Sequence, residues 1–233
     1  MSVHLHARSC YSLLQSTNTI SSLIQDAQRY GYKSLALTDF NVLHGSMAFH
    51  HACKKAGIHA IYGLEFIAVE DEKEFNLLFL AKNDEGFKSL MKLSTYLNTE
   101  NKKIVLEDCM KYAKHCVVIL CHDQCAFEQM IINEEKFLME ETLYRFNSLF
   151  YDFYVAVEMN DSQMMQLKNE LLKECCQLQG IETVALSRIY ISKPEDEESY
   201  RVLRCIDQGL TYQDKRLKVS SQRYFRSQEE MEM

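Results

Sequence analysis

Val3-His4-Leu5-His6-Ala7-Arg8-Ser9 opens the chain and reads as a short strand. Residues two apart in a strand point to the same side, which puts His4, His6 and Arg8 on one face. An imidazole nitrogen can hold a metal ion, whereas a guanidinium is always protonated and offers no lone pair. Alternate histidines followed by arginine therefore point to a metal site that has lost a ligand.

Beyond this strand, apolar and amphipathic runs alternate along the chain. The apolar runs predict strands at Val3–His6, Ser34–Thr38, Ala60–Phe66, Phe75–Ala81, Cys116–Leu120, Phe153–Val157 and Thr183–Leu186. Between them, helical spacing covers Ile20–Tyr30, His44–Ala56, Asp84–Tyr96, Leu106–Tyr112, a pair within Ala126–Leu149, and Ser162–Leu178. A last helix begins with Pro194 in its first turn, where proline is tolerated, and reaches Gln208. About seven βα units in series argue for a parallel sheet, closed or nearly closed. In a barrel of that kind, chemistry collects at the carboxyl ends of the strands.

Composition narrows the function. The 233 residues are 47% hydrophobic and 25% charged, enough apolar material for one large core or two small ones. One proline and seven glycines leave no flexible linker, and no repeat is visible. No apolar run approaches the roughly 20 residues that span a bilayer, and the amino terminus lacks the layout of a secretion signal. Nine cysteines without regular spacing fit a reducing cytoplasm better than a disulfide scaffold. The net charge of −7 argues against direct nucleic-acid binding. The basic stretches at Lys54-Lys55, Lys102-Lys103 and Lys215 to Lys218 are local, and acidic residues surround most of them. Ser227-Gln228-Glu229-Glu230 has the pattern of a helix capping box. A chain that stops at Met233, before such a helix buries anything, reads as the front piece of a longer protein.

Several segments resemble one family. Val3-His4-Leu5-His6 leading to Tyr11-Ser12-Leu13-Leu14 is similar to the first strand of PHP (polymerase and histidinol phosphatase) domains, specifically the domain that opens the alpha subunit of bacterial DNA polymerase III. Further support comes from Ala36-Leu37-Thr38-Asp39-Phe40 with Gly45, from Ala56-Gly57-Ile58 through Gly63-Leu64-Glu65, and from Tyr224-Phe225-Arg226-Ser227 with Glu229-Glu230-Met231. Leu80-Ala81-Lys82-Asn83-Asp84-Glu85-Gly86-Phe87 is distinctive of the polymerase branch. The resemblance implies an α/β fold, a distorted seven-stranded (β/α) barrel of PHP type that is TIM-barrel-like. It implies a PHP domain over residues 1–210 and a tail over 211–233 leading toward a polymerase body. Active members hold up to three metal ions and hydrolyse phosphoesters.

Carried onto this sequence, most of the family's ligand positions are altered. The HxH pair falls on His6 and Arg8, and the aspartate of a Leu-Leu-Asp pattern is Gln15. The Thr-Asp-His signature reads Thr38-Asp39-Phe40. Glu65 matches the metal-bridging glutamate, and the histidine opening the next strand falls on Asn76. The ligand after the fifth strand falls on Cys121 or Asp123. The last Asp-x-His pair reads Arg188-Ile189-Tyr190. A catalytic zinc needs about three protein ligands and an open position. On that count the site is vestigial and its chemistry lost. Arg8 and Arg188 could instead neutralise Glu65 and Asp39 or Asp123 as fixed protein cations. Without enough co-ligands, His6 reads as a core histidine and Glu65 as a salt-bridge partner. His50 and His51 read as exposed, and His122 as a loop residue beside the site.

The resemblance thus implies a non-catalytic domain that stabilises a DNA-directed DNA polymerase, a cytoplasmic nucleotidyltransferase of DNA replication, and offers a surface to its proofreading exonuclease. The expected partners are the remaining domains of the polymerase chain and that exonuclease, with neither nucleic acid nor membrane bound by this fragment. No cofactor and no catalytic residue are expected. Residual binding of zinc, manganese or magnesium stays open at His6, Glu65 and Asp123. The competing reading is an active metal-dependent phosphoesterase or 3′-5′ exonuclease with a rearranged site.

Overall fold

A computed structural model describes residues 2–99, 103–122, 125–159, 163–214, 216–217 and 219–232. Its elements in chain order are β1 (His6–Ala7), α1 (Ile20–Arg29), β2 (Ser34–Leu37), α2 (Ser46–Ala56), β3 (His59–Glu70), β4 (Lys73–Ala81), α3 (Asp84–Thr99), β5 (Ile104–Val105), α4 (Leu106–Ala113), β6 (Cys116–Cys121), α5 (Ala126–Ile132), α6 (Lys136–Leu149), β7 (Phe153–Glu158), α7 (Gln163–Leu178), β8 (Glu182–Leu186), β9 (Arg188–Ile189), α8 (Glu197–Gln208) and α9 (Gln228–Glu232). They divide into two compact units, Met1–Tyr62 with Ser187–Met233, and Gly63–Leu186.

In the first unit, β1 pairs in parallel with β9, His6 opposite Arg188. On its other side Ala36 N–H donates to the His4 carbonyl and Thr38 N–H to that of Ala7, which attaches β2. Strand β2 then pairs in parallel with residues 59–62 of β3. Helix α1 starts where the Thr19 side chain accepts from Ser22 N–H, satisfying one of the donors a helix start leaves bare. It buries Leu23, Ile24 and Ala27, the i, i+1, i+4 stripe of an amphipathic helix, against Leu35, Leu37, Phe49 and Ile189. Helices α2 and α8 both end on glycines in the left-handed conformation, Gly57 at φ 69° and Gly209 at φ 62°, where a β-carbon would be strained.

The segment assigned to a tail contributes to this core. Phe225 is fully buried among His4, Tyr30 and Tyr32. Tyr190 and Ile191 N–H both donate to the Arg223 carbonyl, and Phe225 N–H donates to that of Ser192. The expected capping box forms: Ser227 N–H donates to Glu230 Oε2 at 2.7 Å, and Glu230 N–H to Ser227 Oγ at 3.3 Å.

His4 is the polar centre of that packing. Its Nε2 lies 2.9 Å from the Arg226 carbonyl. A carbonyl only accepts, so Nε2 carries the proton. Nδ1 is buried with no hydrogen-bond partner among the described residues. Burial pulls the His4 pKa down to about 4, aided by the Arg226 charge and opposed by the bond to the Arg226 carbonyl and by Glu230. Unfolded, the imidazole takes its proton near pH 6.5; folded, it resists until about pH 4. The contribution is therefore intact above pH 6.5 and lost as pH falls through that window. A shift of this size is worth roughly 3 kcal/mol. Urea unfolding at pH 7, 5.5 and 4.5 is expected to show that loss, and His4→Gln, which cannot titrate, should be the flatter protein. Equal slopes for both would remove His4 from the acid response.

The second unit departs from the all-parallel expectation. Residues 63–70 of β3 run antiparallel to β4, and β4 runs antiparallel to β6. Only β6–β7, β7–β8 and the short β3–β5 contact are parallel. The reason is the turn between β3 and β4: Asp71 and Glu72 both adopt positive φ, at 48° and 62°. Positive φ at both central residues is the twist-matched hairpin geometry, too short for a crossover helix. The core of this unit is aromatic, with Phe66 on Phe79 at 5.0 Å and Phe75 on Phe146 at 5.1 Å. At the head of α3, the Asn83 side chain accepts from Gly86 N–H at 3.0 Å, and Lys82 N–H donates to the His115 carbonyl at 3.0 Å.

Candidate functional site

Strand β1 delivers the first of the expected residues. His6 and Arg8 are both buried, and Arg8 N–H donates to the Ile189 carbonyl, so the ladder continues past the strand end. Arg8 Nη1 donates to Gln15 Oε1 at 2.7 Å. Its guanidinium carbon stands 4.4 Å from the Tyr190 ring centre and 5.1 Å from that of Phe40. His6 meets Tyr190 edge-on at 5.8 Å. Arg8 thus touches three other positions, Gln15, Phe40 and Tyr190, at which the family resemblance places altered ligands. One amide and two ring faces now surround a fixed cation, an arrangement favourable to a desolvated guanidinium.

The loop after β1 holds this arrangement. Ser16 Oγ lies 2.8 Å from both the Arg8 and the Tyr190 carbonyls. Asn18 Nδ2 donates to the Arg8 carbonyl at 3.3 Å, and Thr17 N–H to that of Tyr190 at 3.0 Å. Leu14 takes φ 61°, a conformation side chains rarely adopt, immediately before Gln15. Asp39 is buried beside this loop and accepts from Ser9 N–H at 2.7 Å, Ser9 Oγ at 2.8 Å and Ser12 Oγ at 2.7 Å. Burial raises its pKa, against the pull of those bonds and of the Arg8 charge. Gly45 packs closely against this loop. A β-carbon there would stand 2.9 Å from Tyr11 and 3.3 Å from Asp39 Oδ2.

Arg188 is buried opposite His6 in the β1–β9 register. Arg223 was missed by sequence reasoning. Its guanidinium carbon lies 5.1 Å from the Tyr190 ring centre. The signal available was its place two residues before Phe225, in the segment that resembles the family's closing motif.

The second unit carries the other expected residues. Glu65 on β3 is fully buried and accepts from Asn76 Nδ2 on β4 at 2.8 Å. The two are diagonal neighbours, since Glu65 faces Leu78 and Asn76 faces Ile67. Asn76 is also paired with Cys121 in the β4–β6 register. Glu65 therefore has an amide beside it where the family resemblance implies an imidazole. Cys121 and His122 are buried at the end of β6, and Cys125 Sγ lies 3.5 Å from the Cys121 carbonyl. Burial pushes the Cys125 thiol up, away from the thiolate that binds metals. Asp123 lies outside the described residues, as do Lys102, Ser162, Lys215 and Lys218. His50 and His51 are exposed on α2, as expected, with His50 Nδ1 2.8 Å from Tyr62 Oη.

The family's metal cluster does not fit these residues. Among the described residues no group of three or more His, Cys, Asp and Glu side chains is placed to hold an ion. In the first unit, Gln15, Phe40 and Tyr190 are organised around the Arg8 guanidinium, which repels a metal ion.

The chain belongs to the PHP domain family, whose model matches residues 4–162. It is 28% identical to DNA polymerase III subunit alpha of Bacillus subtilis, over 89% of this chain and 19% of that one. It is 30% identical to the same subunit of Borreliella burgdorferi, over 98% of this chain and 22% of the other. The chain thus spans about a fifth of the length of these curated relatives. Among solved structures, an amidohydrolase from Chromobacterium violaceum shares the fold at a TM-score of 0.60 and 12% identity, covering 82% of this chain and 88% of that one. So does a putative metal-dependent phosphoesterase from Bifidobacterium adolescentis, at 0.57 and 12%, over 79% and 86%. The expected fold, an α/β barrel of PHP type, is the one these proteins carry. Among the described residues no helix is long and apolar enough to cross a membrane.

Proposed function

We propose that this chain is a non-catalytic PHP domain of a replicative DNA polymerase III alpha subunit, which stabilises the polymerase and docks its proofreading exonuclease. The observation that carries the loss of catalysis is the Arg8 cluster, in which Gln15, Phe40 and Tyr190 surround a cation at the family's ligand positions. A polymerase-type chain is supported by the alpha-subunit relatives that match nearly the whole length. The domain's contribution would then be its cores and its surface.

Elemental analysis after dialysis against zinc and manganese tests the catalytic half of this reading. Less than about 0.1 equivalent per chain is expected, because a tightly held ion needs about three protein ligands. Hydrolysis of bis-p-nitrophenyl phosphate should stay at the background rate with either metal added. Two or three retained ions with turnover would establish the phosphoesterase instead. Co-elution with the exonuclease subunit of the same organism tests docking, and separate elution at micromolar concentration would remove that role.

A further inference from the structure

We propose that the outer face of α6 is a docking surface for a basic amphipathic helix of another protein. Phe137 and Tyr144 stand 76% and 71% exposed on this helix, and Tyr151, two residues past its end, is fully exposed. A separation of seven residues returns to the same helix face about 10 Å further along. The opposite face of α6 already buries Met139, Leu143 and Phe146 in the core, so packing within this unit does not explain the outer rings. Phenylalanine and tyrosine are both enriched in the cores of protein interfaces.

Charge identifies the occupant. Residues 134–151 include four glutamates, Glu134, Glu135, Glu140 and Glu141, and two cations, Lys136 and Arg145. Both cations are committed to other elements, Lys136 to Glu174 on α7 at 2.7 Å, and Arg145 to Glu70 at 2.8 Å and Glu107 at 2.5 Å. Neither Glu134 nor Glu141, both exposed, is among the partners of these cations. Glu134 and Glu135 precede the helix, where the helix dipole favours acids. Glu141 has no such reason, standing mid-helix one turn from each ring. Glu134 also adopts φ 56°, a conformation suited to glycine, and yet presents a carboxylate. A partner helix with leucine-type anchors one to two turns apart would match the spacing of the rings. Lysines or arginines along its flank would meet Glu134 and Glu141. This holds whether or not the family's metal site is catalytic.

The test is fluorescence anisotropy of a labelled leucine–lysine amphipathic peptide of roughly five turns with the 233-residue chain. Binding in the tens-of-micromolar range is expected, with none for a leucine–glutamate counterpart. Phe137→Ser with Tyr144→Ser keeps every charge and should weaken binding at least about tenfold. Glu134→Gln with Glu141→Gln keeps the rings and should reduce both affinity and its salt dependence. Circular dichroism checks that both variants fold. No binding, or binding untouched by the ring substitutions, would overturn the proposal. So would a concentration-dependent dimer that the ring substitutions abolish, since the face would then belong to a second copy.

Discussion

Arg8→Ala is expected to destabilise the chain by about 4 kcal/mol, read from urea unfolding at pH 7. The variant loses a charge-assisted hydrogen bond to Gln15, a class worth about 1.5–3 kcal/mol. It also loses two ring contacts, which contribute up to about 2 kcal/mol when the cation is desolvated. The buried stem leaves a cavity, and Asp39 loses a nearby positive charge. These contributions overlap, so the figure is set by the range of roughly 3–5 kcal/mol for breaking a buried charged contact. Arg8→Met restores part of the packing and should cost less. A change under about 0.5 kcal/mol, typical of a surface site, would place the guanidinium in solvent and dissolve the account of the substituted site.

That cluster shows where legibility in the sequence ends. Each member could be flagged singly, because Arg8, Gln15, Phe40 and Tyr190 each replace a residue type that the family uses as a ligand. No spacing rule joins residue 8 to residue 190, so their mutual contact could only come from the parallel β1–β9 pairing. The same limit explains the sheet. The Phe75–Ala81 strand was readable from its apolar run, yet its antiparallel direction depends on Asp71-Glu72 adopting two positive φ values. Neither residue carries the Asn-Gly signal that usually marks such a turn. The capping box at Ser227 was legible because its partners are three residues apart. The burial of Phe225 beside His4 was not, because those partners are far apart in sequence.

The largest single effect is expected at Gly86, the glycine of the Leu-Ala-Lys-Asn-x-x-Gly segment. The segment was recognisable as a pattern, and the structure supplies its cause. A β-carbon at Gly86 would stand 2.2 Å from the His115 carbonyl oxygen and 3.2 Å from Ala81 Cα. Both are backbone atoms, so no side-chain rotation relieves the clash. The neighbouring backbone is also fixed, because the His115 carbonyl accepts from Lys82 N–H and Cys116 Sγ lies 3.8 Å from the Gly86 carbonyl. Helix α3 would have to lift from the start of β6, stripping Leu90, Leu93 and Leu97 of part of their packing. Elsewhere in a helix interior, Gly→Ala stabilises by about 1 kcal/mol. Here the sign reverses, and Gly86→Ala should cost 4 kcal/mol or more, the range of about 4–5 kcal/mol that marks a specific steric failure. Thermal unfolding by circular dichroism reads it directly, with Gly86→Ser expected to behave no better than alanine. A variant as stable as the parent would mean that α3 does not approach the His115 carbonyl as described. Gly57→Ala is the internal comparison. Its β-carbon would meet nothing within 4 Å, so only its positive φ penalises it, by roughly 1 kcal/mol. A large gap between the two glycine variants would separate close approach of backbones from conformational freedom as the reason for a glycine.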